Sequence, residues 1–229
     1  MTIPSGEKQQ IIRAALSWLG GLTAIVIFWI GLRIMMAFDS YFPPDFQHGF
    51  LAGRQSYFRA SMYGAGFYLH IIGAPIALLS GLTQFSRGLR SWSPRLHRLL
   101  GRTYAISVLL AAAPGGLMIG FRTFAGPSAA VCFFVMSLLV SLSTVLAWKA
   151  ALQRRFTSHR RWMTRSYLLI VSAILLRLID PALRDAGVPD ELSYQWSVWL
   201  SWVPSLVLFE LLERRRAGMA AHQHLPAET

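Results

Sequence analysis

Long apolar stretches separated by short polar segments dominate the chain. Crossing a hydrocarbon core about 30 Å thick takes about 20 residues of helix. Six stretches approach or exceed that length, approximately over residues 14–37, 62–85, 103–124, 129–148, 166–179 and 194–212. Backbone amides in lipid must be satisfied within their own segment, so each stretch is predicted to be a helix. The predicted fold class is therefore all-α, a polytopic six-helix transmembrane bundle.

Two basic segments end alike, which indicates an internal repeat. Residues 97–104 read His-Arg-Leu-Leu-Gly-Arg-Thr-Tyr, and residues 159–167 read His-Arg-Arg-Trp-Met-Thr-Arg-Ser-Tyr. Repeated hairpins are common in membrane folds, so helices two to five are predicted to form a four-helix core of two hairpins. The fifth stretch is short unless its helix begins near Arg161.

These features divide the chain into three parts. Residues 1–61 are predicted to be an anchor helix and an outer loop, residues 62–190 the core, and residues 191–229 a sixth helix with a cytoplasmic tail. The first apolar run, of about 24 residues, exceeds the ~7–15 of a secretory signal, so it is interpreted as a retained anchor. The tail from residue 217 is expected to be disordered.

Composition and charge point to lipid as the solvent. The chain is 54% hydrophobic and only 14% charged, whereas about a quarter of the residues in a soluble domain are charged. The net charge of +12 is compatible with either nucleic acid or a membrane as partner. The basic residues are split between short segments, chiefly 86–102 and 149–165, and no nucleic-acid-binding module is recognisable, so nucleic acid is not expected as a partner.

The distribution of charge gives an orientation. Segments 86–102 and 149–165 hold eleven Arg and Lys residues and no acid, and the two ends of the chain are also basic on that side. The acidic residues of the other side are Asp39, Asp45, Asp180, Asp185, Asp190 and Glu191. The positive-inside rule predicts an inner-membrane protein with both termini in the cytoplasm. The expected partners are the bilayer and its anionic head groups, worth about 1 kcal/mol per basic residue near the surface. Nothing in the sequence indicates the oligomeric state.

An intramembrane polar pocket is predicted in the outer half of the bundle. His70 lies roughly 12 Å below the outer boundary, and Arg177 roughly 13 Å from it. Asp180 follows Arg177 by three residues and is expected to share its helix face, and Gln84 is included in the same pocket. A charge at this depth is costly and usually functional, which favours a proton relay, a substrate site or an anion site. The alternative is a structural Arg-Asp pair beside a hydrogen-bonded histidine.

A second candidate site lies at the cytoplasmic face. His97 and His159 are at matching depth on helices three and five, where two imidazoles would bind one haem b iron from opposite sides. The basic residues beside them are Arg98, Arg102, Arg160 and Arg165; Arg98 and Arg160 would pair with haem propionates. Such a core is similar to that of cytochrome b561-like proteins. The alternative is that both histidines are interfacial residues beside snorkelling arginines.

Several motifs together resemble an uncharacterised bacterial family. They are Gly81-Leu-Thr-Gln84-Phe, His97-Arg-Leu-Leu-Gly-Arg102 and His159-Arg-Arg-Trp-Met-Thr-Arg165, with His70, Arg90 and Arg177. The family comprises predicted membrane proteins known as domain of unknown function 2306, and the likeness covers about residues 66–180. The resemblance implies a polytopic inner-membrane protein and brings no established activity.

No catalytic residue is assigned, because the chain has no phosphate loop, nucleophile elbow or zinc-protease motif. The single cysteine, Cys132, excludes a Cys-based metal cluster, and no metal site is expected; His222-x-His224 is interpreted as an accident of the tail. Two hypotheses follow: a non-enzymatic protein, such as a small transporter or a membrane scaffold, or a redox protein that handles haem or quinone. Whether the chain is an enzyme stays open.

Overall fold

A computed structural model describes residues 5–60, 62–123 and 125–222. These ranges are helical nearly throughout and contain no β-strand. In chain order the helices are α1 (Ser5–Met36), α2 (Gln55–Ala60), α3 (Tyr63–Gln84), α4 (Arg87–Trp92), α5 (Pro94–Ser107), α6 (Ala113–Gly120), α7 (Gly126–Leu152), α8 (Phe156–Asp185), α9 (Asp190–Leu200) and α10 (Val203–His222). A π-helical segment, Val108–Ala112, joins α5 to α6. The predicted all-α class is confirmed.

Five of the helical stretches in the described residues are long and apolar enough to cross a membrane. They are Trp18–Met36, Tyr63–Gln84, Pro94–Gly120, Gly126–Leu152 and Phe156–Asp185. Each coincides with one of the first five predicted crossings. Because these helices expose many large apolar side chains, the protein has the surface of a chain solvated by lipid.

Two helices begin further into the basic segments than hydropathy predicted. The third crossing begins at Pro94, where the Ser93 hydroxyl accepts a hydrogen bond from the Leu96 N–H and caps the helix. The fifth begins at Phe156. Hydropathy falls where the arginines begin, but the helical hydrogen bonds of the backbone continue through these residues. Long basic side chains on a helix can still reach the membrane interface. His97 and His159 therefore lie on helices rather than in loops.

The sixth apolar stretch is not a single helix, contrary to prediction. It is divided between α9 and α10 at Ser201 and Trp202, just before Pro204. Proline has no N–H for the carbonyl four residues earlier, which interrupts the regular helical pattern. Residues on either side of Pro204 still make helical backbone hydrogen bonds. The Ser201 N–H donates to the Ser197 carbonyl, and the Leu206 N–H donates to the Trp202 carbonyl. α10 is helical to His222, including residues predicted to be disordered; the rest of the tail, with His224, lies outside the described residues.

The helices pack as neighbours along the chain. α3 packs against α5, the π-helical segment and α6, and α7 packs most extensively against α8. α9 contacts α7 and α8, and α10 contacts α8. α1 is peripheral: its Ile27 is buried with Leu78 of α3 and Ile174 of α8, but most of its apolar side chains are exposed. The described core thus lies among α3 and α5 to α9.

The segment between α1 and α3 folds into an aromatic cluster. Leu51 and Phe58 are buried against Phe67 near the N-terminal end of α3. Tyr41 meets the Phe67 ring edge-on, with 5.1 Å between centroids, and accepts a hydrogen bond through its carbonyl from the Tyr68 hydroxyl at 3.0 Å. The aromatic residues of this segment therefore form a packed cap over α3.

Candidate functional site

His70 bridges α3 to the distorted region between α5 and α6. Its Nδ1 lies 2.8 Å from the Ala112 carbonyl oxygen. A carbonyl oxygen only accepts, so Nδ1 carries the proton and donates it. In the neutral ring Nε2 is then the acceptor left for another group.

The π-helical segment that supplies this carbonyl has a cause in the sequence. Pro114 follows it closely and cannot donate to the Leu110 carbonyl. The Ala113 N–H instead bonds five residues back, to the Val108 carbonyl. Single π turns of this kind often occur at functional sites. Here the distortion lies directly against His70.

Glycines allow α3 and α6 to approach closely around His70. A Cβ added to Gly73 would lie 2.4 Å from the Ala111 Cβ, and one added to Gly115 would lie 2.6 Å from the His70 backbone nitrogen. A Cβ at Gly116 would lie 3.1 Å from the His70 Nδ1. Small residues at helix crossings are the usual means of close packing in membranes. Larger side chains at these glycines would move the imidazole.

Arg177 is a cation on α8, toward the same end of the bundle as His70. Its Nη1 donates to the Ala173 carbonyl oxygen of its own helix at 2.7 Å. The guanidinium is near enough to His70, Tyr41 and Tyr194 to interact with them electrostatically. Three helices and the outer cap therefore contribute polar groups around one region.

The predicted Arg177–Asp180 pair does not form. Asp180 instead accepts a hydrogen bond from Arg184 at 2.8 Å and another from the Ser193 hydroxyl at 2.8 Å. Helical side chains lean toward the N-terminus of their helix. Arg177 therefore reaches back to Ala173 and away from Asp180, whereas Arg184 reaches back onto it. Sequence spacing alone did not distinguish the two arginines.

Gln84 does not belong to the His70 region, contrary to prediction. It lies fourteen residues further along α3, which at 1.5 Å per residue is about 21 Å away. In the amide orientation that satisfies its neighbours, Gln84 donates to the His97 carbonyl at 3.3 Å and accepts from the Gly101 N–H at 3.2 Å. Gln84 therefore fastens the inner end of α3 to the first turns of α5.

The two histidines predicted at the cytoplasmic face do come within electrostatic range of each other. His97 is half-buried on α5 and interacts electrostatically with His159. His159 Nδ1 donates to the Ala147 carbonyl of α7 at 2.9 Å. Arg98 and Arg102 are exposed, while Arg165 is held by Glu210 of α10. Of the predicted basic partners, Arg160 lines a cavity at this end of the bundle.

That cavity does not fit a haem. Its volume is about 140 Å³, whereas cofactor-sized pockets are roughly 300–1,000 Å³. Neither imidazole lines it. Within the described residues, no group of three or more His, Cys, Asp or Glu side chains is arranged to hold a metal ion.

A buried chain of hydrogen-bonded hydroxyl groups joins Tyr104, Ser166 and Thr144, and the sequence did not predict it. Thr144 donates to the Val140 carbonyl at 2.7 Å, so it accepts from Ser166 at 2.7 Å, and Ser166 accepts from the Tyr104 hydroxyl at 2.6 Å. The chain joins α5, α7 and α8. It ends on a backbone carbonyl that cannot pass on a proton, so its role is to fix the packing of these helices.

The tyrosines that close the two repeated motifs enclose one glycine. A Cβ added to Gly81 would lie 2.6 Å from the Tyr167 ring and 2.7 Å from the Tyr104 ring. Tyr167 also donates to the Leu78 carbonyl at 3.0 Å. The glycine motif and both tyrosines thus form one packing layer. The repeated motifs marked both tyrosines in the sequence, although the spacing of the motifs could not show that the two rings meet.

The matched family extends through most of this architecture. The model of the family described as "Predicted membrane protein (DUF2306)" matches residues 67–213. The match continues beyond residue 180, the limit expected from motifs, and includes α9 and half of α10. No curated protein and no solved structure matches the chain. Since the match covers more than half of the chain, this protein belongs to the DUF2306 family of predicted membrane proteins.

Proposed function

We propose that the chain is an inner-membrane transporter of small anions that crosses the bilayer six times, with both termini in the cytoplasm. The division at residues 61 and 190 into anchor, two-hairpin core and C-terminal part belongs to this proposal. The observation that carries it is Arg177, an exposed guanidinium within a helix long and apolar enough to cross a membrane and in electrostatic range of His70. Among the described residues, no carboxylate forms a salt bridge with Arg177.

Contacts at both ends of α8 support the sixth crossing. At the outer end Ser193 of α9 donates to Asp180, and at the inner end Arg165 donates to Glu210 of α10. Fifteen residues separate the two contacts on α8 and seventeen on α9 and α10. At 1.5 Å per residue both distances are about 22–26 Å, so α9 and α10 run antiparallel to α8 over nearly the thickness of a hydrocarbon core.

Interrupted helices support a transport role. The third crossing contains the π-helical segment beside His70, and the proposed sixth is broken at Ser201 and Trp202. In many transporters, substrate sites are built from discontinuous helices near mid-membrane. Such breaks are tolerated where they are buried in protein, and Ser201 and Trp202 are both buried.

The chemistry of the region around Arg177 favours an anion. A guanidinium in mid-membrane costs about 2.5–3.5 kcal/mol on the insertion scale, and a bound anion would offset this cost. The Arg177 guanidinium donates one hydrogen bond to the Ala173 carbonyl and keeps four further N–H groups for an anion, whereas the Nδ1–H of His70 is already donated to the Ala112 carbonyl. A cation would be repelled by Arg177.

Anion uptake into proteoliposomes tests the proposal. The probes are radiolabelled chloride, acetate and inorganic phosphate, each compared with protein-free vesicles. We expect uptake of at least one probe, and a reduction of tenfold or more in Arg177→Gln. Arg122→Gln, an exposed arginine after α6, removes the same charge and should transport like wild type. Absence of uptake for all three anions, or unchanged uptake in Arg177→Gln, would overturn the proposal.

A further inference from the structure

The cavity that Arg160 lines, described above as too small for a haem, lies at the proposed inner end of the bundle. It is some 20 Å from His70 and independent of the proposed transport site. It is formed where the end of α3, the short helix α4 and the first turns of α8 meet. Its lining includes Gln84, Phe85, Arg87, Arg90, Arg160 and Thr164, and its volume is about 140 Å³.

The charge around this cavity is uncompensated. None of the ion pairs among the described residues involves Arg87, Arg90 or Arg160. Segments 86–102 and 149–165 contain no acidic residue. Three guanidinium groups around one cavity repel one another unless an anion lies between them.

A larger neighbouring groove is the natural comparison. It has a volume of about 770 Å³ and is lined by Arg154, Arg155, Arg161 and Arg165, among others. Two of its arginines are already neutralised, Arg161 by Glu213 and Arg165 by Glu210. Arg155 donates to Gln153. The smaller cavity therefore retains more positive charge for a ligand, despite its size.

The polar groups available in the small cavity are hydrogen-bond donors. Gln84 is engaged with His97 and Gly101, and the Thr164 hydroxyl donates to the Arg160 carbonyl. The three guanidinium groups remain, and each presents paired N–H donors that match the oxygens of a phosphate. The volume corresponds to four or five waters at about 30 Å³ each, which suits one phosphate group.

We infer that the cavity between α3, α4 and α8 binds a single phosphate group through Arg87, Arg90 and Arg160. The phosphate would come from the head group of an anionic lipid or from free phosphate in the cytoplasm. Phe85 is 48% exposed beside the cavity and would contact the glycerol or acyl part of a lipid.

Thermal unfolding in detergent tests the inference and separates the two sources. The full chain is titrated with phosphatidylglycerol, phosphatidylcholine or inorganic phosphate. We expect a saturable rise in Tm with phosphatidylglycerol or inorganic phosphate but not with phosphatidylcholine. A rise with phosphatidylglycerol alone identifies the head group, and an equal rise with inorganic phosphate identifies the free anion. Both results support the site.

A pair of double variants locates the binding. In Arg90→Gln with Arg160→Gln, the half-saturating concentration should increase tenfold or more. Arg154→Gln with Arg155→Gln removes the same charge from the larger groove and should leave it unchanged. Equal losses in the two variants, loss only in the second, or absence of a Tm response in wild type would overturn the inference. The two substituted arginines are exposed. Should the glutamine variant fail to purify, Arg90→Lys with Arg160→Lys keeps the charge but loses the paired donors, and must still weaken binding.

Discussion

Arg165 donates two hydrogen bonds to the Glu210 carboxylate, from Nε at 2.6 Å and from Nη2 at 2.9 Å. The guanidinium also lies over the rings of Trp162 and Phe209, at 4.5 and 5.2 Å from their centroids. This arrangement joins the N-terminal third of α8 to the middle of α10. It explains why Arg165, expected at a cofactor, serves instead to hold the C-terminal helix.

Removal of this pair should loosen α10. Because the geometry is bidentate and the arginine is largely buried, Arg165→Ala should lower the free energy of unfolding by about 1–2 kcal/mol. Arg95→Ala, at an exposed position on α5, should change it by less than about 0.5 kcal/mol. Thermal unfolding in detergent measures both. Glu210→Gln should lose most of the same stability; an unchanged Tm there would contradict the ion-pair explanation.

Gly81 should not tolerate a methyl group. Both rings that face it are held by hydrogen bonds, Tyr104 to Ser166 and Tyr167 to the Leu78 carbonyl, so neither can move aside freely. Gly81→Ala is expected to destabilise the protein by about 1–3 kcal/mol through overpacking. Gly21→Ala is the control, because nothing lies within 4 Å of its added Cβ. Equal Tm values for the two variants would rule out the packing layer described around Gly81.

Ser166 should contribute more to the stability of the fold than an exposed serine does. Ser166→Ala breaks the chain in the middle and leaves the Tyr104 hydroxyl buried without its acceptor, which costs about 1–3 kcal/mol. Tyr104→Phe removes the first donor and leaves Ser166 hydrogen-bonded to Thr144, so this variant should lose less stability than Ser166→Ala. Ser91→Ala, at an exposed position, should have almost no effect. The order of the three Tm values is the test, and a wild-type Tm for Ser166→Ala would contradict it.

Reporter fusions test the sixth crossing. Alkaline phosphatase, active only in the periplasm, should be active when fused after Gly187, between α8 and α9, and inactive when fused after His222. A cytoplasmic reporter such as green fluorescent protein should show the opposite pattern at the same two positions. Phosphatase activity after His222 would mean that the chain crosses only five times.

The purified protein should be colourless. Because the cavity near His97 and His159 has only about 140 Å³, no haem is expected between them. The absorption spectrum of protein from haem-replete cells should show no Soret band, and the pyridine-haemochrome assay should be negative. A Soret band that disappears in both His97→Ala and His159→Ala would restore the redox hypothesis.

The surroundings of the candidate site residues were only partly predictable. His70 and Arg177 were chosen because polar groups in a long apolar stretch stand out. The partners predicted for them lie elsewhere: Asp180 pairs with Arg184, and Gln84 lies at the other end of α3. Pairing depends on the direction in which a side chain leans along its helix and on depth in the bundle, and neither follows from residue type. The Tyr104–Ser166–Thr144 chain joins three helices, so no local pattern indicates it.

Hydropathy and charge by themselves determined that the chain is an all-helical membrane protein, because lipid requires apolar segments of a minimum length with internally bonded backbones. The motifs alone also indicated the family. Only the tertiary structure decided where helices begin within basic segments, that the last apolar stretch is broken before Pro204, and which arginines keep their charge uncompensated. Those outcomes depend on contacts between residues far apart in sequence, such as Arg165 with Glu210, where packing and ion pairing override the local pattern.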